Sequence, residues 1–527
     1  MKIVLAYISG APDRKDPYIS LLPTGLCSLH ACLRAAGFDA VLANFSGWSN
    51  ADFKRQLSNL KPDIVGISQW THNRHAASAL AELARMENPD CTVIMGGAHA
   101  TFCYARILQP GSPVDCVVLG EGEETLLEIA RHCNEGTSWR DVNGIAYPSN
   151  GEIVITRARV PLNNLDNLPM AAGFLEQSVG VDIELQSEFI LTTRGCPSAC
   201  HFCSSPKFWQ RKVRFRSPDR IVEEMMFIRD KYGLIYFSLR DDTFTADRSR
   251  TIEFCKLLIE QRIHVMWNCQ SRVNALDEDL LIWMKRAGCE CIQLGVESGS
   301  PRILSQLGKT ITPTQVEQAA GMIRKIGINL SIYLITDIPG ETEDDTRHTI
   351  ELIKRIRPDD GYVSPLAYFP GTRMFEEAVV AGHIDRNVFE VDNRVAVYAV
   401  GEPGRNSRRI LQCLGRVAPH GALRFKLQKE LLGYCSVTNV LAGEFYRQRG
   451  DHSVAEREFR EITEREPDNP WGWYLLGDLY AEMGEKKMAM ECYHAVCRIV
   501  PEHGPSRQAL KAKKKRDHDG PASKCYQ

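Results

Sequence analysis

No stretch of the sequence is apolar over the ~20 residues that a membrane-spanning helix needs. The N-terminal "MKIVLAYISGAPDRKD" turns to glycine, proline and charge too early for a signal peptide. A cytoplasmic protein with no membrane span is therefore expected. An excess of one charge is also missing. The formal net charge of -2 gives no general attraction to nucleic acid or to an anionic membrane, and the run Lys511, Lys513 to Arg516 reads as a solvated face or tail. The sequence contains neither Gly-x4-Gly-Lys-Ser/Thr nor Gly-x-Gly-x-x-Gly, so a P-loop or a dinucleotide site has no support. Disulfides are not expected either, because the 18 cysteines sit in a chain without a secretion signal. Most stand in apolar contexts, such as Cys116 in "CVVLG" and Cys255 in "EFCKLLIE", and read as small buried hydrophobes.

What is present is a chain of 527 residues, enough for about three domains. Residues 1–140 alternate short β-rich runs ("KIVLAYI", "AVLANF", "DIVGIS", "TVIMGG", "CVVLGE") with helical patterns. That alternation predicts a doubly wound, flavodoxin-like parallel sheet, which binds ligands at the carboxyl ends of its strands. Residues 141–184 read as a hairpin turning at Ser149-Asn150-Gly151 and a linker, "PLNNLDNLP". A second βα series fills 185–384. Its six strand candidates are too few for a full eightfold barrel and predict a partial (β/α)6 barrel. Residues 385–435 form an accessory region without clear period, helical over "ILQCLGRVAPHGALRFKLQKELLGY".

Within 436–505, Trp473, Leu476, Gly477, Tyr480, Ala489, Tyr493 and Pro501 fit the tetratricopeptide spacing. Gly443, Tyr446, Ala455, Phe459 and Pro467 repeat that phase one unit earlier. Two all-α repeats follow, capped by flanking helices, and 506–527 read as a disordered basic tail. Such repeats either present a surface to a protein partner or pack against the barrel.

Three cysteines stand apart. "TTRGCPSACHFCSS" carries Cys196, Cys200 and Cys203 at the end of the first barrel strand. Three thiolates can hold an iron–sulfur cluster with one iron left open. A zinc site would need a fourth ligand, for which His201 is nearest. Three free cysteines are the remaining alternative.

Cys-x3-Cys-x-aromatic-Cys after the first strand of a partial barrel resembles the radical SAM superfamily. The resemblance implies a 4Fe-4S cluster on Cys196, Cys200 and Cys203, which bind the metal and serve catalysis. Its open iron would be chelated by S-adenosylmethionine, whose reductive cleavage yields a 5′-deoxyadenosyl radical. It also implies cofactor contacts at Phe202, at Asp241 or Asp242 in "LRDDTFT", at Arg272 in "CQSRVN", at Glu297 and Ser298 in "GVESGS", and at Gly340 in "DIPGET". The superfamily's Gly-Gly-Glu form is absent.

The segments "LPTGLCSLHACLRAAGF", "PDIVGISQWTHN", "VIMGGAHAT" and "VVLGEGEETL", in that order before the cysteines, resemble the cobalamin-dependent subfamily. They imply a cobalamin across the carboxyl edge of the first sheet. Thr24, Gly25, Ser68, Gln69, Trp70, Thr71, Gly96, Gly97, His99, Glu121 and Gly122 would line its site. No histidine stands in the Asp-x-His-x-x-Gly context of a lower ligand, so a base-off cobalamin without a histidine ligand is expected. Trp70 would cover the lower face or simply pack.

The subfamily implies a methyltransferase that uses methylcobalamin and the radical to methylate an unactivated carbon. The alternatives are a radical rearrangement or cyclisation without methyl transfer, and a repeat-mediated scaffold with a non-catalytic cluster. The implied partners are a small-molecule, lipid or peptide substrate and an electron donor such as flavodoxin or ferredoxin.

Overall fold

The computed structural model describes residues 1–9, 21–391, 394–400, 404–417 and 420–518, with side chains to residue 511. The first sheet is built from β1 (Lys2–Tyr7), β2 (Asp39–Asn44), β3 (Ile64–Ser68), β4 (Thr92–Gly96) and β5 (Cys116–Val118). All pair in parallel in the order β5-β4-β3-β1-β2. Alternation along β1 explains the two covered faces. Ile3, Leu5 and Tyr7 pack with Leu33, Leu126 and Ile129 on one side, and Val4 and Ala6 with Phe53, Leu80 and Val93 on the other. The strand order reverses between β1 and β3, and the carboxyl edge there is the crevice of a doubly wound sheet.

The predicted hairpin is β6 (Ile145–Ser149) and β7 (Glu152–Ile155). It turns at Asn150 and Gly151, both with positive φ (51° and 82°), as a two-residue hairpin turn requires. It does not stand apart as a linker element. β6 pairs antiparallel with β5, and β8 (Ser178–Val179) adds to β2 at the opposite edge, making an eight-stranded sheet.

The second unit is a six-stranded, all-parallel sheet in sequential order: β9 (Phe189–Ile190), β12 (Tyr236–Leu239), β13 (Met266–Ser271), β14 (Cys289–Glu297), β15 (Asn329–Thr336) and β16 (Asp360–Pro365). Between β9 and β12, the short strands β10 (Thr193–Arg194) and β11 (Arg214–Phe215) pair antiparallel and flank the cysteine loop. Phe237, Leu239, Trp267, Cys269, Ile292, Leu294, Leu330 and Ile332 face the helices and form the largest core. The alternate residues face inward and are polar. Tyr236 Oη donates to Glu290 Oε1 (2.7 Å), Asn268 Nδ2 to Tyr236 Oη (2.7 Å), Ser238 Oγ to Asn268 Oδ1 (2.9 Å) and Asn329 Nδ2 to Glu290 Oε2 (3.2 Å). This connected network fills the amino-terminal end of the barrel and leaves the carboxyl end for chemistry.

The accessory region is more broken than expected. β17 (Ala367–Tyr368) pairs with β18 (Val397–Tyr398). The stretch read as helical from residue 410 is two helices, Arg405–Leu414 and Leu423–Leu432, the first ending at Gly415.

Helices Ser436–Arg447, His452–Arg465, Pro470–Glu482 and Lys486–Ile499 form the two repeats. Their glycines have a steric reason. A Cβ at Gly443 would lie 2.2 Å from the Phe459 ring, and one at Gly477 2.7 Å from Tyr493. The repeats dock on the lower end of the barrel. Met266 shares their core, and Arg262 Nε donates to Asp468 Oδ2 at 2.8 Å. The last helix runs Gly504–His518, so the span assigned to the tail begins inside a helix, while 519–527 lie outside the described residues. Among the described residues no helix is long and apolar enough to cross a membrane.

Gly233 ends the helix Pro218–Tyr232 with φ 72°, and a Cβ there would sit 2.1 Å from the Glu502 carbonyl oxygen. Gly233→Ala is expected to cost about 1–3 kcal/mol through left-handed strain and this contact, read as a lowered midpoint in thermal unfolding.

Candidate active site

The carboxyl edge of the first sheet faces the mouth of the barrel across a cavity of about 520 Å³, within the usual range for a small-ligand site. Thr24, Gly25, Ser68, Trp70, Gly96, Gly97, Glu121 and Gly122 line it from the first unit, as expected from the sequence. Thr193, Arg194, Cys203, Trp209, Arg240 and Asp242 line it from the barrel. Gly25 has nothing within 4 Å of a Cβ position, and Gly96 meets Val118 only at 3.8 Å, so both leave bare backbone toward the cavity. Gly97 has another cause. Its φ is 103°, and a Cβ would strike the Gln69 carbonyl oxygen at 2.6 Å.

Gln69, Thr71 and His99 do not line the cavity; they stand behind its wall. Gln69 N donates to the Gly96 carbonyl at 2.7 Å, and its own carbonyl accepts from His99 N at 3.3 Å. His99 Nδ1 lies 3.1 Å from Thr71 Oγ1, and its ring meets Phe389 edge-on. Burial pulls the His99 pKa down to about 3, so it is a neutral wall residue. Among the described residues lining the cavity none is a histidine. Trp70 is 40% exposed and lines the cavity.

The three cysteines share one electrostatic environment. Burial pushes the Cys203 thiol up to about 12, and Cys200 and Cys196 push in the same direction. The Cys200 thiol is raised by burial, with Lys309 and Arg272 opposing and Glu297 and Cys196 reinforcing. Cys196 Sγ is 3.8 Å from Thr243 Oγ1. A cationic group held among these thiols would favour their ionised forms. His201, the fourth ligand of the zinc alternative, is engaged elsewhere. Its Nδ1 is 2.9 Å from the Gln306 carbonyl and its Nε2 3.2 Å from Arg373 Nη1. Among the described residues no three His, Cys, Asp or Glu side chains gather around one metal-ion position. A cluster makes no such demand, since each thiolate takes a different iron. The donor set fits a three-thiolate cluster, and the bare glycine edge fits a large planar cofactor.

Two predicted contacts are corrected by the geometry. Asp241 is fully buried and accepts from Thr192 N (2.6 Å), Thr193 N (2.7 Å) and Thr192 Oγ1. It therefore fastens the chain just ahead of the cysteine loop instead of meeting a cofactor. Asp242, the other candidate, opens onto the cavity and accepts from Ser205 Oγ. The protein packed around it desolvates the carboxyl and holds its pKa above the usual range. Ser298 is also turned away, with its Oγ 3.2 Å from Thr349 Oγ1 and accepting from Ser300 N at 3.1 Å.

Glu297 stays in the barrel mouth. Its φ of 65° lies at a register break in β14, and Lys309 Nζ donates to its Oε1 (3.1 Å) and to the Gly295 carbonyl (2.7 Å). Burial raises the Glu297 pKa and Lys309 opposes it. Gly340 has φ 76° with open space at its Cβ position, and Phe202 packs near Ile303, Leu307 and Ile338 beside that turn.

Sequence reasoning missed Lys309, Arg194, Arg214 and Glu123. Their signal was present but ambiguous: an arginine directly before "GC", and a second acid in "GEGEE".

A three-thiolate loop and a bare glycine edge on opposite walls of one cavity define a two-cofactor, iron–sulfur-dependent enzyme. Residues 190–353 match the Radical SAM superfamily, 19–130 the B12 binding domain and 472–503 the tetratricopeptide repeat. An uncharacterized methyltransferase of Pyrococcus horikoshii is 31% identical over 62% of this chain and 72% of its own length. The anaerobic magnesium-protoporphyrin IX monomethyl ester cyclase of Rubrivivax gelatinosus is 30% identical over 67% of this chain and 66% of its own. The solved structure of the radical S-adenosylmethionine methyltransferase TsrM from Kitasatospora setae, with cobalamin and a 4Fe-4S cluster bound, shares the fold. Its TM-score is 0.65 at 16% identity, covering 87% of this chain and 99% of that one. The chain belongs to the cobalamin-dependent radical SAM enzymes, and its cofactors are a 4Fe-4S cluster, S-adenosylmethionine and cobalamin.

The two neighbouring aspartates separate by experiment. Asp241→Ala strands three buried donors and is expected to cost about 3 kcal/mol or more. Asp242→Ala, open to the cavity, should stay within about 0.5 kcal/mol. Denaturant unfolding of the apoprotein measures both.

Proposed function

We propose that the protein is a methyltransferase that places a methyl group on an unactivated carbon of a small molecule. The observation that carries this reading is the shared cavity, with the cobalamin-binding edge on one wall and the cysteine loop on the other. When bound, the cluster with S-adenosylmethionine supplies one-electron cleavage of a carbon–sulfur bond, and cobalamin supplies a transferable methyl group.

This chain's residues do the holding and the excluding of water. Cys196, Cys200 and Cys203 would hold the cluster. Phe202, Gly340, Arg272, Asp242 and the Glu297–Lys309 pair would bind and orient the cosubstrate at the barrel mouth. Thr24, Gly25, Ser68, Trp70, Gly96, Glu121 and Gly122 would face cobalamin. The absence of histidine among the described lining residues supports a base-off cobalamin without a histidine ligand. The polar network closes the lower end of the barrel, and apolar side chains such as Leu5, Leu26 and Val118 line the cavity, a setting that would become water-poor once the cofactors fill it.

A flavodoxin or ferredoxin would supply electrons, and the protein would act in the cytoplasm. The repeats have their Met266 face and the Arg262–Asp468 pair against the barrel, which leaves only their outer faces for a protein partner. Lipid and peptide substrates belong to the same reading.

Anaerobic reconstitution with iron, sulfide and cobalamin, followed by turnover with candidate substrates, tests it. S-adenosylhomocysteine and 5′-deoxyadenosine should form together with methylated product. Deoxyadenosine alone with a converted substrate would replace methyl transfer by a rearrangement or cyclisation. Cys200→Ala should lower bound iron and sulfide to background and abolish deoxyadenosine. A retained cellular role in that variant would point instead to the scaffold reading.

A further inference from the structure

Arg194 lies two residues before Cys196, and its side chain does not point to the cysteines. It crosses to the first unit, where Nη1 meets Glu121 Oε1 at 2.8 Å and Nη2 meets Glu123 Oε1. Its neighbour across the β10–β11 pair, Arg214, donates from Nη1 to Glu121 Oε2 at 2.6 Å and to the Leu162 carbonyl at 2.8 Å. Leu162 N returns a bond to Glu121 Oε2 at 3.0 Å. Both guanidinium groups lie over the ring of Trp209, at 6.0 and 5.5 Å from its centre. Side-chain exposure is only 5% for Arg194 and Glu123 and 10% for Glu121 and Arg214.

Buried ion pairs seldom add net stability, because desolvation cancels much of the attraction; their better-attested use is to set register. Here the two ends of the register are the two cofactor walls. Glu121 and Glu123 stand at the carboxyl end of β5 and the first turn of the helix Glu123–Glu135. Arg194 runs straight into the cysteine loop. The joint between them has no slack, since Gly195 has φ 100° and a Cβ there would sit 2.0 Å from the Lys212 carbonyl oxygen. Burial works against these charges, but the pairing prevails at Glu123, whose carboxyl is held below the usual carboxylate range.

We infer that Arg194, with Arg214, is a positioning residue: an ion-pair latch that fixes the cysteine loop at a set distance from the cobalamin-binding edge. The inference rests on the two-cofactor reading above for its functional meaning, but the latch itself is a property of the chain. The far side of the cavity is fastened independently. The Arg74 guanidinium donates to the carbonyls of Thr71 (2.7 Å), Phe389 (2.6 Å) and Arg394 (2.8 Å). Removing Arg194 therefore loosens one side of the cavity without separating the two units.

The test compares Arg194→Gln, Arg194→Lys and the double variant Arg194→Gln/Glu123→Gln with the wild type. Arg194→Gln should retain cluster iron, weaken cobalamin binding by about 10-fold or more, the range seen when outer partners of a metal site are removed, and speed amide exchange in both 120–126 and 193–205. Turnover should become uncoupled, with more deoxyadenosine per methylated product. Arg194→Lys should rescue in part, since an ammonium is a point charge and cannot span two carboxylates as the planar fork does. The double variant, with no unpaired charge left, should recover exchange protection relative to Arg194→Gln. Unchanged exchange and unchanged cobalamin affinity in Arg194→Gln would overturn the latch. If Arg194→Gln does not fold, Arg214→Gln, which keeps the Arg194 pairs, carries the same comparison. If the wild type takes up iron but binds no cobalamin, the functional reading falls, while the exchange difference still decides the latch.

Discussion

Arg194 places a full positive charge where 5% of its side chain meets solvent, and Glu121 and Glu123 answer it from another unit of the chain. Everything that makes this molecule one enzyme depends on such crossings. A doubly wound sheet presents ligands at its carboxyl edge, and a partial barrel does chemistry at its own. Each could stand alone. Only when the two carboxyl edges face each other do bare glycines and Cys203 of the cysteine loop share one cavity, and buried charge at the rim holds them in that relation.

Within the barrel the same economy of polar groups appears at two levels. The lower interior is closed by side chains that satisfy one another, from Ser238 through Asn268, Tyr236 and Glu290 to Asn329. The upper interior keeps charge that is only partly neutralised, as in Glu297 beside Lys309, where burial still lifts the carboxyl's pKa. A protein that must accept a charged cosubstrate benefits from groups held this way, already desolvated and oriented before binding. The repeats sit at the opposite pole, against the barrel end where no chemistry is expected. Their repeated spacing has a packing cause, with glycine seated against Phe459 and Tyr493.

How much was legible in advance varied with the range of the interaction. The cysteine triad lies within eight consecutive residues, and loop-borne ligands declare themselves by spacing alone. Strands and helices of both βα series were equally readable, because periodicity is local. Asp241 and Asp242 were not separable. They are adjacent, alike and on the right strand end, and only the fold shows that one faces the Thr192–Thr193 backbone and the other the cavity. Ser298 failed for the same reason. It adjoins Glu297, which sits at the register break in β14 with a left-handed φ of 65°, and its hydroxyl turns to Thr349 instead.

The sequence by itself determined the order of the units, the polar and glycine-rich strand ends, the close spacing of the three cysteines and the phase of the repeats. These are properties of neighbours along the chain, set by side-chain alternation, helical period and ligand spacing. Tertiary structure alone decided which acid is a clamp and which lines the site, that Gln69, Thr71 and His99 stand behind the wall, and that Glu121 belongs to an ion-pair latch. Those outcomes depend on partners far along the chain: 28 residues separate Thr71 from His99, 48 separate Thr193 from Asp241, and 93 separate Glu121 from Arg214. Whether a polar group serves the fold or the cofactor is settled by which distant donor reaches it first.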